Sequence, residues 1–217
     1  MTPRYQSPAL LGKSGMKIAI IGAGNVGAAL AQAFRRCGHE IVFGVKSPDS
    51  EKPDQLAIAE AANSAEVSIL AVPFEAVPEV VESASGFADK VVIDATNPLR
   101  VGEGGLNLTL GFTSSGAEQI AAQAPRAHLF KTFNQTGFEN MANAGRFGLR
   151  PVMFVAGDNE AHKPTVLELV ADAGFEASDA GGLRAARLLE PFAMLWIELA
   201  RNRGLGPDFA FSLQRKV

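Results

Sequence analysis

The chain has 217 residues, 47% of them hydrophobic, and a formal net charge of −3. That length and apolar share suit one α/β domain with a sizeable core, or a domain with a small appendage. The mild acidity and the lack of a basic block argue against nucleic acid as a partner, no apolar run reaches the roughly 18 residues of a membrane span, and the single cysteine, Cys37, leaves no internal disulfide and reads as a small apolar packing residue.

Residues 1–15 carry only the short apolar patch Ala9-Leu10-Leu11, too little for the apolar stretch of a signal peptide. They read as a loose N-terminal extension, and the cytoplasm is the expected compartment. Residues 18–21 then form a short apolar run that predicts a buried strand, followed at once by Gly22, Gly24 and Gly27 and an Ala-rich helix over 26–34. Each glycine has its own task in a strand-turn-helix of this kind. Gly22 permits the tight turn, Gly24 lets backbone N–H groups approach a pyrophosphate, and Gly27 lets the helix lie close on the strand. The helix N-terminus adds partial positive charge and free donors for phosphate.

Downstream, strand and helix alternate. Gly38 fits a helix C-cap and residues 41–43 a second strand. A polar turn with two prolines spans 47–53, a short helix 55–62, and a third strand 67–72, ended by Pro73. Helix over 76–84, a fourth strand over 91–93 and a long Gly-rich loop over 97–113 come next. Ser114 or Ser115 caps a helix running to Ala124, with Glu118 placed for a capping box. A fifth strand covers 129–133 and a sixth 152–155. Asp158 or Asn159 caps a helix to Ala173, and 175–177 forms a short seventh strand. Helix over 183–201 should kink or divide at Pro191, and 209–213 alternates as a closing strand. The pattern predicts an α/β fold, a Rossmann-type doubly wound and mostly parallel sheet over 16–150, with a small C-terminal α/β part over 151–217 packed on it.

Ligands on such sheets bind beyond the carboxyl ends of the strands. That rule points to 22–27, 44–47, Pro73 and Phe74, Asn97 and Pro98, 131–134, and Gly157 and Asp158. An NAD site usually has an acid after the second strand; here Val45, Lys46 and Ser47 stand there, and no acid comes before Asp49. Lys46 and Ser47 therefore favour NADP, whose 2′-phosphate an ammonium attracts; the competing reading is a solvated surface lysine. The histidines suggest no catalysis: His39 follows a helix end, His128 opens a strand away from the ligand end, and His162 lies on the exposed side of a helix start. No Cys/His cluster suggests a metal and no Gly-x-Ser-x-Gly elbow suggests acyl transfer. Hydride transfer between two ring cofactors needs mainly stacking and orientation, because the cofactors carry the chemistry. Asn97 is either a donor and acceptor for a ligand or part of a plain Asn-Pro turn. Lys131 either serves an anionic ligand or reaches solvent. Arg184, Arg187 and Glu190 read as an ion-pair face. The apolar run 191–197 either completes the core or forms the contact of a homodimer.

Taken in order, Gly22-Ala23-Gly24-Asn25-Val26-Gly27, Ala71-Val72-Pro73, Asp94-Ala95-Thr96-Asn97-Pro98-Leu99, Ser115-Gly116-Ala117-Glu118, Lys131-Thr132-Phe133-Asn134, Ala156-Gly157-Asp158 and Ala185-Ala186-Arg187-Leu188-Leu189-Glu190-Pro191 resemble the coenzyme F420-dependent NADP oxidoreductases. A more distant resemblance is to the ferric-reductase domain of the mammalian STEAP proteins. The resemblance covers about residues 16–217. It implies a deazaflavin stacked on the nicotinamide of NADP(H), with direct hydride transfer and no catalytic side chain. Gly22, Gly24, Asn25 and Val26 would hold the pyrophosphate, with Ala23 and Gly27 in the same turn. Lys46 takes the place of the family's arginine at the 2′-phosphate, between Val45 and Ser47. Val72, Pro73 and Asn97 would flank the ribose or nicotinamide, with Ala71, Phe74, Val77, Pro98, Lys131 and Asn134 around them. Val45 stands where relatives often have Ser or Thr, and Lys46 lacks the bidentate reach of arginine, so NADP preference should be weaker than the family norm. The acceptor is F420, a flavin (FMN or FAD), a ferric chelate or a small organic molecule. The competing functions are an imine or carbonyl reductase and a non-catalytic NADP-binding sensor.

Overall fold

A computed structural model of the chain describes residues 15–103 and 105–216. All but the last residue of the expected N-terminal extension lies outside the described residues. Ten strands and seven α-helices follow in the order β1 (Lys17–Ile21), α1 (Asn25–Arg36), β2 (Glu40–Val45), β3 (Gln55–Ala57), α2 (Ile58–Ser64), β4 (Val67–Leu70), α3 (Val77–Ser83), β5 (Val91–Asp94), β6 (Leu99–Gly102), β7 (Gly105–Leu108), α4 (Gly116–Gln123), β8 (His128–Lys131), α5 (Phe138–Ala142), β9 (Val152–Gly157), α6 (Lys163–Asp172), β10 (Glu176–Asp179) and α7 (Ala186–Ile197).

Eight strands form one sheet in the order β10-β9-β8-β5-β4-β1-β2-β3, while β6 and β7 form a separate hairpin. Every neighbour in the large sheet is parallel except β8 and β9, so β9 and β10 run against the others. Chain winding reverses between β1 and β4, which pair in register from Ile18↔Val67 to Ile21↔Leu70. Their carboxyl ends therefore open the crevice in which a doubly wound sheet binds ligands.

The strands are apolar throughout because both faces are covered. Ile18 and Ile20 point into a layer with Leu30 and Phe34 of α1, Met141 of α5 and Val166 and Leu169 of α6. Ala19 and Ile21 point the other way, against Ile58 of α2, Val77 and Val80 of α3, Ile120 of α4 and Ala186 of α7.

The structure departs from the sequence reading in several places. Residues 55–57 are not the first turn of a helix but the edge strand β3, recruited by the unpaired edge of β2 at Phe43↔Gln55 and Val45↔Ala57. The Gly-rich stretch after Asn97 is not a loop throughout. Leu99↔Leu108 and Val101↔Leu106 pair as a hairpin, closed at its base by the Thr109 N–H and hydroxyl donating to the Pro98 carbonyl. Helix α7 runs through Pro191 without a break. A proline inside a helix costs about 3 kcal/mol, but Leu189, Ala193 and Trp196 are buried around it, and large apolar side chains contribute about 1.5–3 kcal/mol each on burial. The expected closing strand over 209–213 is absent. Its carbonyls are taken instead by Trp196 Nε1 and Asn140 Nδ2 at Phe209 and by the Val152 N–H at Phe211. No helix among the described residues is long and apolar enough to cross a membrane.

Candidate functional site

The turn from β1 to α1 explains its glycines one by one. Gly22 has φ +110°, a conformation that L side chains rarely adopt, and a Cβ there would lie 2.5 Å from the Ala71 carbonyl oxygen. A Cβ on Gly27 would lie 2.1 Å from the Gly22 carbonyl oxygen and 3.1 Å from the Ile20 side chain. These two glycines are required by the protein itself. Gly24 is different: its φ of −78° and ψ of −168° suit any residue, and a Cβ there would meet nothing within 4 Å. No side chain caps α1 at this end, and no acid lies in its first turn. The first N–H groups of a helix have no intrahelical acceptor. Those of Asn25, Val26 and Gly27 thus make a preformed anion cradle beside an open face at Gly24, and Ala23, Gly24 and Asn25 are all exposed. A dinucleotide pyrophosphate fits this donor set.

At the carboxyl end of β2, Val45 is half-buried against the core, while Lys46 and Ser47 are exposed. Lys46 is not a free cation, because its Nζ lies 2.5 Å from Glu79 Oε2 on α3. Nearby, Lys52 pairs with Asp49 at 3.2 Å and Arg35 with Asp54 at 2.7 Å. A groove of about 640 Å³ runs along α1 here, with Ala23, Ala31, Arg35, Phe43, Lys52 and Asp54 among its lining residues.

Beyond β4, Ala71, Val72 and Phe74 are half-buried and Pro73 is exposed. Val77 is only 1% exposed and belongs to the core beneath α3, so its side chain is withdrawn from the crevice. Asn97 and Asn134 lock each other. Asn97 Nδ2 donates to the Asn134 carbonyl at 3.1 Å, and Asn134 Nδ2 donates to Asn97 Oδ1 at 3.0 Å and to the Leu189 carbonyl at 3.1 Å. Asn97 stays half-exposed, whereas Asn134 and Pro98 are buried. Asn134 therefore orients Asn97 rather than facing a ligand.

Lys131 neither serves an anion nor reaches solvent. It is wholly buried, its Nζ 2.8 Å from Asp94 Oδ2, 2.6 Å from the Thr96 carbonyl and 3.2 Å from Glu190 Oε1. Asp94 Oδ1 in turn accepts from the Thr96 N–H and hydroxyl. Glu190 leaves the expected ion-pair face and accepts from the Gly116 and Ala117 N–H groups at the start of α4. One cation and the positive end of a helix thus balance two buried carboxylates. Asp94 and Glu190 each stand in an apolar run, and a charged residue in such a run signals a buried partner. Ser115 caps α4 as expected, its Oγ accepting from the Glu118 N–H. Arg187 grips Glu118 with two hydrogen bonds, and mainly for that reason the Glu118 carboxyl is held below the usual carboxylate range. His128 stacks on His162 at 4.8 Å and His39 binds Asp172; no group of three or more potential metal ligands occurs among the described residues.

Residues 17–98 match a family described as NADP oxidoreductase, coenzyme F420-dependent. The chain is 31% identical over 226 residues to the F420-dependent NADP reductase of Methanothermobacter marburgensis, covering 88% of this chain and 97% of that protein. It is 29% identical over 184 residues to Metalloreductase STEAP3 of Rattus norvegicus, which spans 82% of this chain but only 36% of that longer protein. A solved structure of a candidate F420-dependent NADP-reductase from Arthrobacter sp. FB24 superposes with a TM-score of 0.84 at 30% identity, covering 93% of this chain and 100% of the other.

Two stability tests follow from this geometry. Gly27→Ala should cost about 1–3 kcal/mol through the clash with the Gly22 carbonyl, while Gly24→Val should leave urea unfolding unchanged; equal effects at both positions would contradict the assigned roles. Lys131→Met leaves two buried carboxylates without their cation and should cost about 3–5 kcal/mol. A loss below about 1 kcal/mol would show that the network does not anchor the strand ends.

Proposed function

Because the chain belongs to the coenzyme F420-dependent NADP oxidoreductase family, we propose that it is an NADPH-dependent oxidoreductase that passes hydride between NADP(H) and a deazaflavin of the F420 type, or a flavin such as FMN or FAD in its place. The observation that carries this reading is the uncapped start of α1 beside the open face of Gly24, a donor set that suits a pyrophosphate and has no use within the fold. Gly22, Gly24, Asn25 and Val26 hold the pyrophosphate, and Lys46 and Ser47 meet the 2′-phosphate. Val72, Pro73 and Asn97 orient the nicotinamide. When bound, NADPH supplies a hydride from nicotinamide C4.

The chain's own contribution is orientation. Lys131 and Asp94, the titratable groups at the ends of β8 and β5, are fully buried and engaged with each other, so neither is available to an acceptor oxygen as a proton donor. This supports an acceptor ring that takes hydride by stacking rather than a carbonyl that needs a positioned acid. The Asn97–Asn134 clamp fixes the amide that faces the nicotinamide, so the ring is held before the acceptor arrives. Leu188 and Leu195 of α7 are 72% and 48% exposed, and this apolar face supports a homodimer.

Anaerobic NADPH oxidation followed at 340 nm, with F420, FMN, FAD and ferric chelate offered separately, tests the reaction. Rapid turnover with a ring acceptor is expected, and Gly24→Val should abolish it; binding of NADPH with no turnover on any acceptor would overturn the proposal. Sedimentation should return twice the 22.8 kDa chain mass, and a monomer mass would remove the dimer.

A further inference from the structure

The acid that usually reads the adenosine ribose at the end of β2 is missing from this chain. A carboxylate from another element nonetheless reaches the side chain that follows β2. Glu79 projects from α3 to Lys46, with both side chains 59% exposed. The cations nearest the end of β2 are paired, Lys46 with Glu79, Lys52 with Asp49 and Arg35 with Asp54, while Arg36 on the same groove donates to the Ala142 carbonyl. An NADP 2′-phosphate arriving at Lys46 must draw the ammonium away from Glu79 and then lie beside that carboxylate. A ribose bearing a free 2′-hydroxyl meets no such repulsion, and a carboxylate accepts its hydrogen bond.

We propose that Glu79 is the specificity-determining residue of the dinucleotide site: it stands in from α3 for the ribose-reading acid that β2 lacks, restrains Lys46, and lets the protein use NADH beside NADPH. This rests on the dinucleotide-binding reading above. Glu79 separates the two cofactors by its charge and its acceptor oxygens rather than by shape, because Lys46 and Glu79 are on the surface and both can swing. With NADPH, Lys46 turns to the phosphate and Glu79 opposes it. With NADH, the pair stays closed and Glu79 faces the ribose. Glu79 lies 33 positions from Lys46 in the chain, on a helix whose buried face is formed by Val77, Val80 and Val81, so its exposed side chain can be changed without disturbing the core.

Calorimetric dissociation constants for NADPH and NADH, measured on the wild type, Glu79→Gln and Lys46→Ala, test the proposal. Glu79→Gln should tighten NADPH about tenfold, equivalent to about 1.4 kcal/mol, and weaken NADH a few-fold. Lys46→Ala should weaken NADPH and leave NADH unchanged. An unchanged NADPH-to-NADH ratio in Glu79→Gln, in a protein whose NADPH binding still depends on Lys46, overturns the role of Glu79 and leaves the dinucleotide site standing. A wild type that binds NADPH but shows no binding of NADH overturns it equally. Failure of the wild type to bind either dinucleotide removes both readings together.

Discussion

The close approach of two backbone segments at the β1–α1 turn is the constraint on which the site depends. The Gly22 carbonyl oxygen lies where a Gly27 Cβ would sit, and the Ala71 carbonyl oxygen crowds the same turn from the end of β4. Only glycine tolerates such contacts, and the positive φ at Gly22 adds a conformational reason. Because the helix lies so close to the strand, its first N–H groups emerge at the crevice between β1 and β4 rather than over the sheet face. The placement of an anion cradle at the switch point of the sheet is thus a packing result before it is a binding result.

The two ends of this crevice treat charge in opposite ways. At the ends of β5 and β8, Lys131, Asp94 and Glu190 are buried, and their mutual contacts join β5, β8, the start of α4 and the middle of α7. A buried network of this kind gives little net stability compared with apolar packing, yet removing one member leaves an uncompensated charge. Its value is geometric: it fixes Thr96, and with it the turn that presents Asn97. At the end of β2, Lys46 and Glu79 are open to solvent, where an ion pair is worth little and can exchange partners. Rigid charge therefore sits beneath the Asn97 turn, and exchangeable charge sits at the end of β2.

This division also accounts for the state of the charged groups at the ends of β5 and β8, which are buried and paired. From its place at the end of β8 alone, Lys131 reads as a ligand contact or a solvent-reaching lysine. Its burial and its three acceptors show a positioning residue instead. Orientation of a bound ring is a task that one locked amide at the strand ends can perform. The C-terminal portion supports this from the far side, since β9 and β10 extend the sheet and α7 delivers Glu190 and the Leu189 carbonyl to the same cluster.

By itself, the amino-acid sequence determined what depends on neighbours along the chain. The continuous apolar runs, the glycine turn, the Ser115 cap and the alternation of strand and helix follow from backbone geometry and local hydrogen bonding, and they specify a Rossmann-type fold. Tertiary structure alone decided which charges are available. Lys131 meets Asp94 across 37 positions and Glu190 meets Gly116 across 74, while the free edge of β2 drew residues 55–57 into a strand against their helical pattern. Helix α7 likewise continued through Pro191 because apolar burial on both sides outweighed one lost hydrogen bond. Electrostatic pairing and burial act through space, so no spacing along the chain records them.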